Sequence, residues 1–338
     1  MKQRRGGGAR RVTILDISRA TGVSKSSVSR FLDDRSPSDT EAARLVRRVA
    51  AELGYVRDVS AANLRRGSTG TIGVIVPRLT DTVMAMLYES LAHAASQSGR
   101  FTIVATTNDD PVANQRAAEM LMARGVDGLV LATTRTGDGL AERLAAQGVR
   151  FVLALRTDGV HPSSVGDDRL GGYLATRHLI DLGHRQIGVV AGPADASSAA
   201  GRVEGYRAAM DEADLAVRPE WIVPSSFSLE AGSLAARELM TLAERPTAIF
   251  AINDNTALGA LSALAQQGLS VPGDVSVVGY NDIPLVSHLP TPLTTVRTPF
   301  GQIAATAMEL LVQADAPDAP RIRRATPSLI PRQSTRRL

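Results

Sequence analysis

The chain carries little that could make or break covalent bonds. It has no cysteine in 338 residues, which excludes thiolate nucleophiles, disulfides and Cys-type zinc sites. Its five histidines, His93, His161, His178, His184 and His288, form no pair at metal-ligand spacing. No G-x-S-x-G, H-E-x-x-H, Walker or G-x-G-x-x-G pattern occurs. The sequence offers hydrogen-bonding chemistry instead. The stretch Gly22–Arg30, GVSKSSVSR, packs four serines, a lysine and an arginine into nine residues. Lys25 and Arg30 can donate to guanine edges or phosphates, and the short hydroxyls of Ser26, Ser27 and Ser29 permit close approach while still bonding.

These side chains need a helix to present them. Thr13 with Asp16 three residues on is a capping-box pattern, Ile14, Ile17 and Ala20 make an apolar stripe, and Gly22 ends the segment. Ser24 then caps a second helix, with Val23 and Val28 placed as a hydrophobic staple. Val28, Phe31 and Leu32 fall inward at i, i+3, i+4, while Lys25, Ser26, Ser29, Arg30 and Asp33 fall outward. A third helix, from about Asp39 to Leu53, buries Leu45, Val46, Val49 and Leu53 and stops at Gly54. Spacing alone fits either a generic helical bundle or a helix-turn-helix whose second helix enters the major groove. Residues 1–66 hold 15 Lys/Arg against 7 Asp/Glu, although the whole chain is only +4, a balance that fits a head meeting a polyanion and equally a solvated basic tail.

From Thr71 the period changes. Short β-rich runs at 72–76, 101–105, 128–131 and 151–155 alternate with helical stretches near 84–98, 112–124 and 139–147. After Gly171 the pattern restarts with strands at 187–191, 221–223, 248–251 and 275–278 and helices to about 182 and at 202–213, 230–243 and 256–267. Such alternation predicts an α/β body of two lobes with parallel sheets, and a ligand crevice at the carboxyl ends of the strands. Asp81, Arg202 and Asp254 stand just beyond strands and are candidates for that crevice. A hydrophobic content of 44% and apolar runs far shorter than about 20 residues give no membrane span, and no apolar run follows the basic N-terminus, so a cytoplasmic protein is expected.

Several blocks in order carry a family resemblance: VTILDISRATGVSKSSVSRFLD, AANLRRGSTGTIGVIVP, GDDRLGGYLATRHLIDLGHRQIGVVAG, PTAIFAINDNTALGAL and VPGDVSVVGYNDIP. Together they resemble the LacI/GalR family of bacterial transcription regulators over nearly the whole chain. The resemblance implies a ligand-responsive, sequence-specific DNA-binding regulator, a repressor, reading a pseudo-palindromic operator as a homodimer. Its parts would be a basic flexible tail (1–11), a helix-turn-helix DNA-binding domain (12–57), a hinge helix (58–67) and a periplasmic-binding-protein-like effector and dimerisation domain (71–338). Lobe one of that domain would span about 71–165 and 294–335, and lobe two about 166–290. The implied DNA contacts are Thr13, Ser24, Lys25, Ser26, Ser27, Ser29 and Arg30, with Leu64 wedging a base step from the minor groove and Ala61 beside it. The implied effector contacts are Arg202 and Asp254 on ligand hydroxyls, with Asp81, Arg156, Phe227 and Phe300 lining the same cleft.

The chain also departs from the family pattern. Arg57-Asp58 replaces the usual Pro-Asn before the hinge, Ala42-Ala43 replaces Thr-Arg in helix three, and Asn281 replaces the usual Asp of the GYN block. DTVM at 81–84 stands where aromatics commonly face the effector, which disfavours a stacked ring on that side; the family resemblance alone implies a small polar ligand, a sugar or sugar derivative. No cofactor is implied. An enzyme, a periplasmic sugar carrier and a sequence-blind DNA binder are the competing classes: the missing catalytic motifs disfavour the first, the basic head the second, and the ligand-type body the third. No heptad tail follows residue 335, so a dimer is expected, not a tetramer.

Overall fold

The structure is a computed structural model that describes residues 12–32, 39–55, 68–312 and 321–338. It divides into two units, residues 1–67 and 68–338. In the first, α1 (Ile14–Thr21) starts with a complete capping box: the Thr13 hydroxyl accepts from the Asp16 N–H, and the Asp16 carboxylate accepts from the Thr13 N–H at 2.9 Å. Gly22 ends the helix in the left-handed region at φ 70°, where a Cβ would be strained. α2 (Lys25–Phe31) is capped by Ser24, and α3 (Glu41–Glu52) by Thr40. Ile17, Val28, Val46 and Ala50 are buried between the three helices, with Val23, Phe31 and Leu32 packed around them. The third helix turns slightly from its expected face: Ala43 and Ala50 are buried, and Leu53, expected inside, is 41% exposed beyond the last turn. The hinge segment 58–67, with Ala61 and Leu64, lies outside the described residues.

The second unit holds two six-stranded sheets, each with helices alternating along the chain. The first lobe runs β1 (Thr71–Val76), α4 (Thr82–Gln97), β2 (Phe101–Thr106), α5 (Pro111–Ala123), β3 (Gly128–Leu131), α6 (Leu140–Ala146), β4 (Phe151–Ala154) and β5 (Ser163–Gly166). The second runs α7 (Asp168–Asp181), β6 (Ile187–Ala191), α8 (Ser197–Glu212), β7 (Ile222–Pro224), α9 (Leu229–Thr241), β8 (Ala248–Ala251), α10 (Asp254–Gln266), β9 (Ser276–Asn281) and β10 (Thr294–Arg297). α11 (Phe300–Val312) and β11 (Ile322–Ala325) return to the first lobe, and β12 (Ser328–Ile330) ends on the second. The sheet orders are β11-β5-β4-β3-β1-β2 and β12-β10-β9-β8-β6-β7, parallel throughout except for the antiparallel β10–β12 pair. Strands such as β1, TIGVIV, are buried on both faces, which is why they read as unbroken apolar runs.

The lobe boundaries differ from the expected ones. The expectation placed 294–335 wholly on lobe one, but β10 pairs with β9 and β12 with β10, so both belong to the second sheet. Ser334 ties the segment after β12 there as well, donating to the Val277 carbonyl and accepting from the Thr294 N–H. The chain therefore crosses between lobes three times, after β5, after β10 and after β11. Arg202 also sits differently: α8 begins at Ser197, so Arg202 lies in its second turn and does not open it.

Close helix pairing in lobe two depends on glycine. α7 and α8 approach so nearly that a Cβ on Gly172 would run into the Arg202 carbonyl, and one on Gly205 into the Arg169 carbonyl. This approach brings α8 and its arginine down against the strand ends.

Candidate functional site

On the head, α2 exposes Lys25, Ser26 and Arg30 to solvent, with Ser27 and Ser29 half-buried beside them. Two of the predicted contacts already have local work. The Ser24 hydroxyl accepts from the Ser27 N–H at 3.3 Å and lies 3.1 Å from the Ser26 and Ser27 hydroxyls. The Thr13 hydroxyl donates to Asp16 at 2.7 Å. Both are helix caps first, and their remaining lone pairs stay exposed. Arg30 lies 5.5 Å over the Phe31 ring, which restrains its guanidinium near the helix surface.

On the body, a cavity of about 370 Å³ lies between the lobes at the carboxyl ends of their strands. Lobe one contributes Asp81, the cap of α4; Asn108 and Asp109 beyond β2; Arg135 beyond β3; and Leu155 and Arg156 beyond β4. Lobe two contributes Ser198 and Arg202 of α8, Phe227 and Ser228 before α9, Asn253 and Asn255 at the start of α10, and Asn281 at the end of β9. Four of these, Asn108, Asp109, Leu155 and Asn281, have left-handed φ of 55°, 62°, 62° and 107°. For a leucine this costs about 1–2 kcal/mol, and its gathering on one cleft marks a backbone shaped for a ligand.

The buried guanidiniums of the cavity are paired with carboxylates. Arg156 donates to Asp109 at 3.1 Å and lies 5.4 Å over the Phe227 ring. Arg135 reaches Asp109 at 3.4 Å and, across the cleft, Asp195 at 2.9 Å. Arg202 donates to Asp168 at 2.8 Å and to the Ile252 carbonyl at 2.7 Å. Asp81 accepts from the Asn255 amide of the other lobe at 3.0 Å, and burial pushes its carboxyl above the ordinary value in spite of that bond and its own helix cap. Further ties between lobes run from Thr157 N–H to the Ser197 hydroxyl and from Thr136 N–H to the Asp195 carbonyl.

Of the six predicted effector contacts, Asp81, Arg156, Arg202 and Phe227 line the cavity. Asp254 and Phe300 do not. Asp254 is fully buried behind the cavity, where its carboxylate accepts from the Thr295 hydroxyl at 2.7 Å and the Ile283 N–H at 2.8 Å. It stands one residue inside the helix capped by Asn253, so its side chain turns back toward the sheet while Asn253 and Asn255 face the cleft. Phe300 is 6% exposed and packs into the core that α11 shares with the first sheet. Sequence reading missed Asp109, Arg135 and Asn255. Each sits just past a strand, which is the only signal they carry.

A basic three-helix head joined to a two-lobed body with a polar cleft defines a ligand-binding regulator of transcription. The chain belongs to the LacI family of bacterial regulatory proteins. The model for "Bacterial regulatory proteins, lacI family" matches residues 13–58, and that for "Periplasmic binding proteins and sugar binding domain of LacI family" matches residues 69–329. The chain is 35% identical to the ribose operon repressor of Haemophilus influenzae over 305 residues, 89% of this chain and 91% of that protein. It is 31% identical to the repressor PurR of Vibrio campbellii over 332 residues, 96% of this chain and 99% of that one. A solved Lac repressor dimer bound to operator and the anti-inducer ONPF superposes with TM-score 0.86 at 27% identity, covering 97% of this chain and all of that chain. A LacI family regulator from Enterococcus faecium with bound ribose gives TM-score 0.69 at 29% identity, covering 79% and 99%. The protein is thus a ligand-responsive DNA-binding repressor and not an enzyme. No helix among the described residues is long and apolar enough to cross a membrane.

Proposed function

We propose that the effector is a neutral polyhydroxylated molecule of monosaccharide size, held in the interlobe cleft, and that it alters the affinity of a homodimer for a pseudo-palindromic operator. The observation that carries this is charge pairing: each buried cleft guanidinium already faces a carboxylate, so a phosphate or carboxylate ligand would meet Asp109 and Asp168 as well as the arginines. Carboxylates, amides and guanidiniums at fixed positions suit hydroxyls, which both donate and accept. The volume lies near the lower end of the ~300–1,000 Å³ usual for ligand sites. Phe227 is the cleft's aromatic side chain, and its face is near Arg156, which leaves no opposed pair of rings for a flat base. The relative that binds ribose supports the same class.

Effector binding in the cleft would bias lobe closure, and a coupling of ~1–3 kcal/mol would change operator affinity about 5–150-fold, reciprocally. Lys25, Ser26, Ser27, Ser29 and Arg30 would face the major groove, with Thr13 and Ser24 at the phosphates. The site of action would be the cytoplasm, on the bacterial nucleoid. Dimerisation would use lobe one's edge strand β2, which exposes Phe101 at 76% and Ile103 at 41%. Calorimetric titration with D-ribose, other monosaccharides, their phosphates and nucleosides tests the effector class. Binding of free sugars but not of sugar phosphates is expected. Preference for the phosphates or for nucleosides overturns the reading.

A further inference from the structure

Arg202 is a poor choice for a ligand contact unless something fixes it, because a long side chain that must be ordered on binding loses much of the bond's worth. In this structure it is fixed on three sides. Its Nε donates to Asp168 at 2.8 Å, its Nη1 donates to the Ile252 carbonyl at 2.7 Å, and its guanidinium carbon lies over the Tyr280 ring, 3.7 Å from the centroid. Tyr280 is 1% exposed, so a buried ring backs the guanidinium on the face that Asp168 and the Ile252 carbonyl leave open. The cradle is built by α7: Gly171 has no Cβ that would strike the Tyr280 hydroxyl, and Gly172 has none that would strike the Arg202 carbonyl. With Nε and Nη1 engaged, the Nη2 edge is left for the cleft that Arg202 lines.

We propose that Asp168 and Tyr280 are positioning residues, which hold the Arg202 guanidinium in one orientation so that its Nη2 edge is preorganised for an effector hydroxyl. The proposal rests on reading the cleft as the effector site. It also gives effector binding a dependence on acid. The charged or titratable groups facing the Asp168 carboxyl are Arg202 from α8, Tyr280 from β9 and its own neighbour Asp167. Burial, ahead of the opposing pull of Arg202, pushes Asp168 up to about 6. Above that pH the carboxylate anchors Arg202, and below it the protonated acid lets the fork loosen.

Two measurements on the full chain test this. The first needs no ligand: arginine side-chain 15N spectra of wild type, Asp168→Asn and Tyr280→Phe, assigned through Arg202→Lys. The Arg202 Nε–H resonance should be slowly exchanging in wild type at pH 7.5, fast in Asp168→Asn and intermediate in Tyr280→Phe, which keeps the stacked ring. The second is the affinity for D-ribose by calorimetry from pH 5.5 to 8. Wild type should bind about threefold more weakly at pH 5.5 than at 7.5, the effect of one pKa unit of coupling on a carboxyl that titrates at about 6. Asp168→Asn should be weak and flat across that range. Asp81, whose carboxyl is also raised, is present in both proteins, so the difference profile isolates Asp168. An unchanged Arg202 resonance in Asp168→Asn overturns the proposal, as does a loosened Arg202 with undiminished D-ribose affinity. Absence of binding by wild type of D-ribose and of the other monosaccharides overturns the sugar reading instead, and the spectra then decide the positioning role alone.

Discussion

Arg135 of lobe one lies 2.9 Å from Asp195 of lobe two, and the Thr136 N–H bonds the Asp195 carbonyl at the same distance, so one short segment closes the cleft at two atoms. Arg135 also reaches Asp109, which Arg156 shares, so the ladder Asp195–Arg135–Asp109–Arg156 runs from the other lobe to the cavity wall.

Arg135→Ala should loosen closure without unfolding either lobe. Asp195 is 43% exposed on its side chain, so the pair contributes ~0–1 kcal/mol and the expected loss of effector affinity is at most about fivefold. Small-angle scattering of the ligand-free body should show a larger radius of gyration. Identical scattering with unchanged affinity would mean that the backbone bond through Thr136 closes the cleft unaided.

Asp254→Ala should reduce stability rather than remove effector response selectively. It would leave the Thr295 hydroxyl and the Ile283 N–H buried without an acceptor, at about 1–3 kcal/mol each. Asp254→Asn tests the charge. Burial pushes the folded carboxyl up to about 7, above its unfolded value, so the folded state retains a proton that the unfolded chain sheds near pH 4. This group's contribution is full at low pH and declines as pH rises through about 7. The melting temperature of Asp254→Asn should lack that part of the wild-type decline between pH 5 and 8. Parallel curves would refute the assignment.

Arg30→Ala should lower operator affinity by ~1–3 kcal/mol at particular base pairs and relax preference there, whereas Lys25→Ala should weaken all sequences alike and reduce the salt slope by about one. Binding to a randomised operator library separates the two patterns. A uniform loss for Arg30→Ala would assign it to phosphates.

Phe101→Glu places a charge on the exposed edge of β2 and should shift the protein toward monomer, with operator affinity falling because two half-sites are no longer read together. Sedimentation velocity measures this directly. A variant that stays dimeric would move the interface elsewhere on the body.

What sequence alone could show depended on range. The Thr13–Asp16 capping box and the Ser24 cap involve partners three residues apart, so a local pattern contains them whole. Most strands of the two sheets were visible as apolar runs, but β5, SSVG, was not, although it is buried throughout. Neither were β10, β11 and β12, being three or four residues long and rich in Thr, Arg and Ser, too short for any period to emerge. Their absence misplaced the lobe boundaries. Asp254 illustrates the other limit. Its position was correctly singled out, but whether it faces ligand or sheet depends on Thr295, 41 residues away. The Arg135 ladder joins residues 26 and 60 apart on different loops, and nothing local announces it.

The three crossings between lobes bear on how such sensors are inherited. Each lobe is assembled from separated stretches of chain, with β10 and β12 on one side and α11 and β11 on the other. A recombination that carried one lobe into another regulator would have to break the gene at three places in register, whereas a single break near residue 67 detaches the whole head. Shuffling among relatives would therefore pair complete sensors with new DNA addresses, and a change of effector would have to arise by substitution within the cleft.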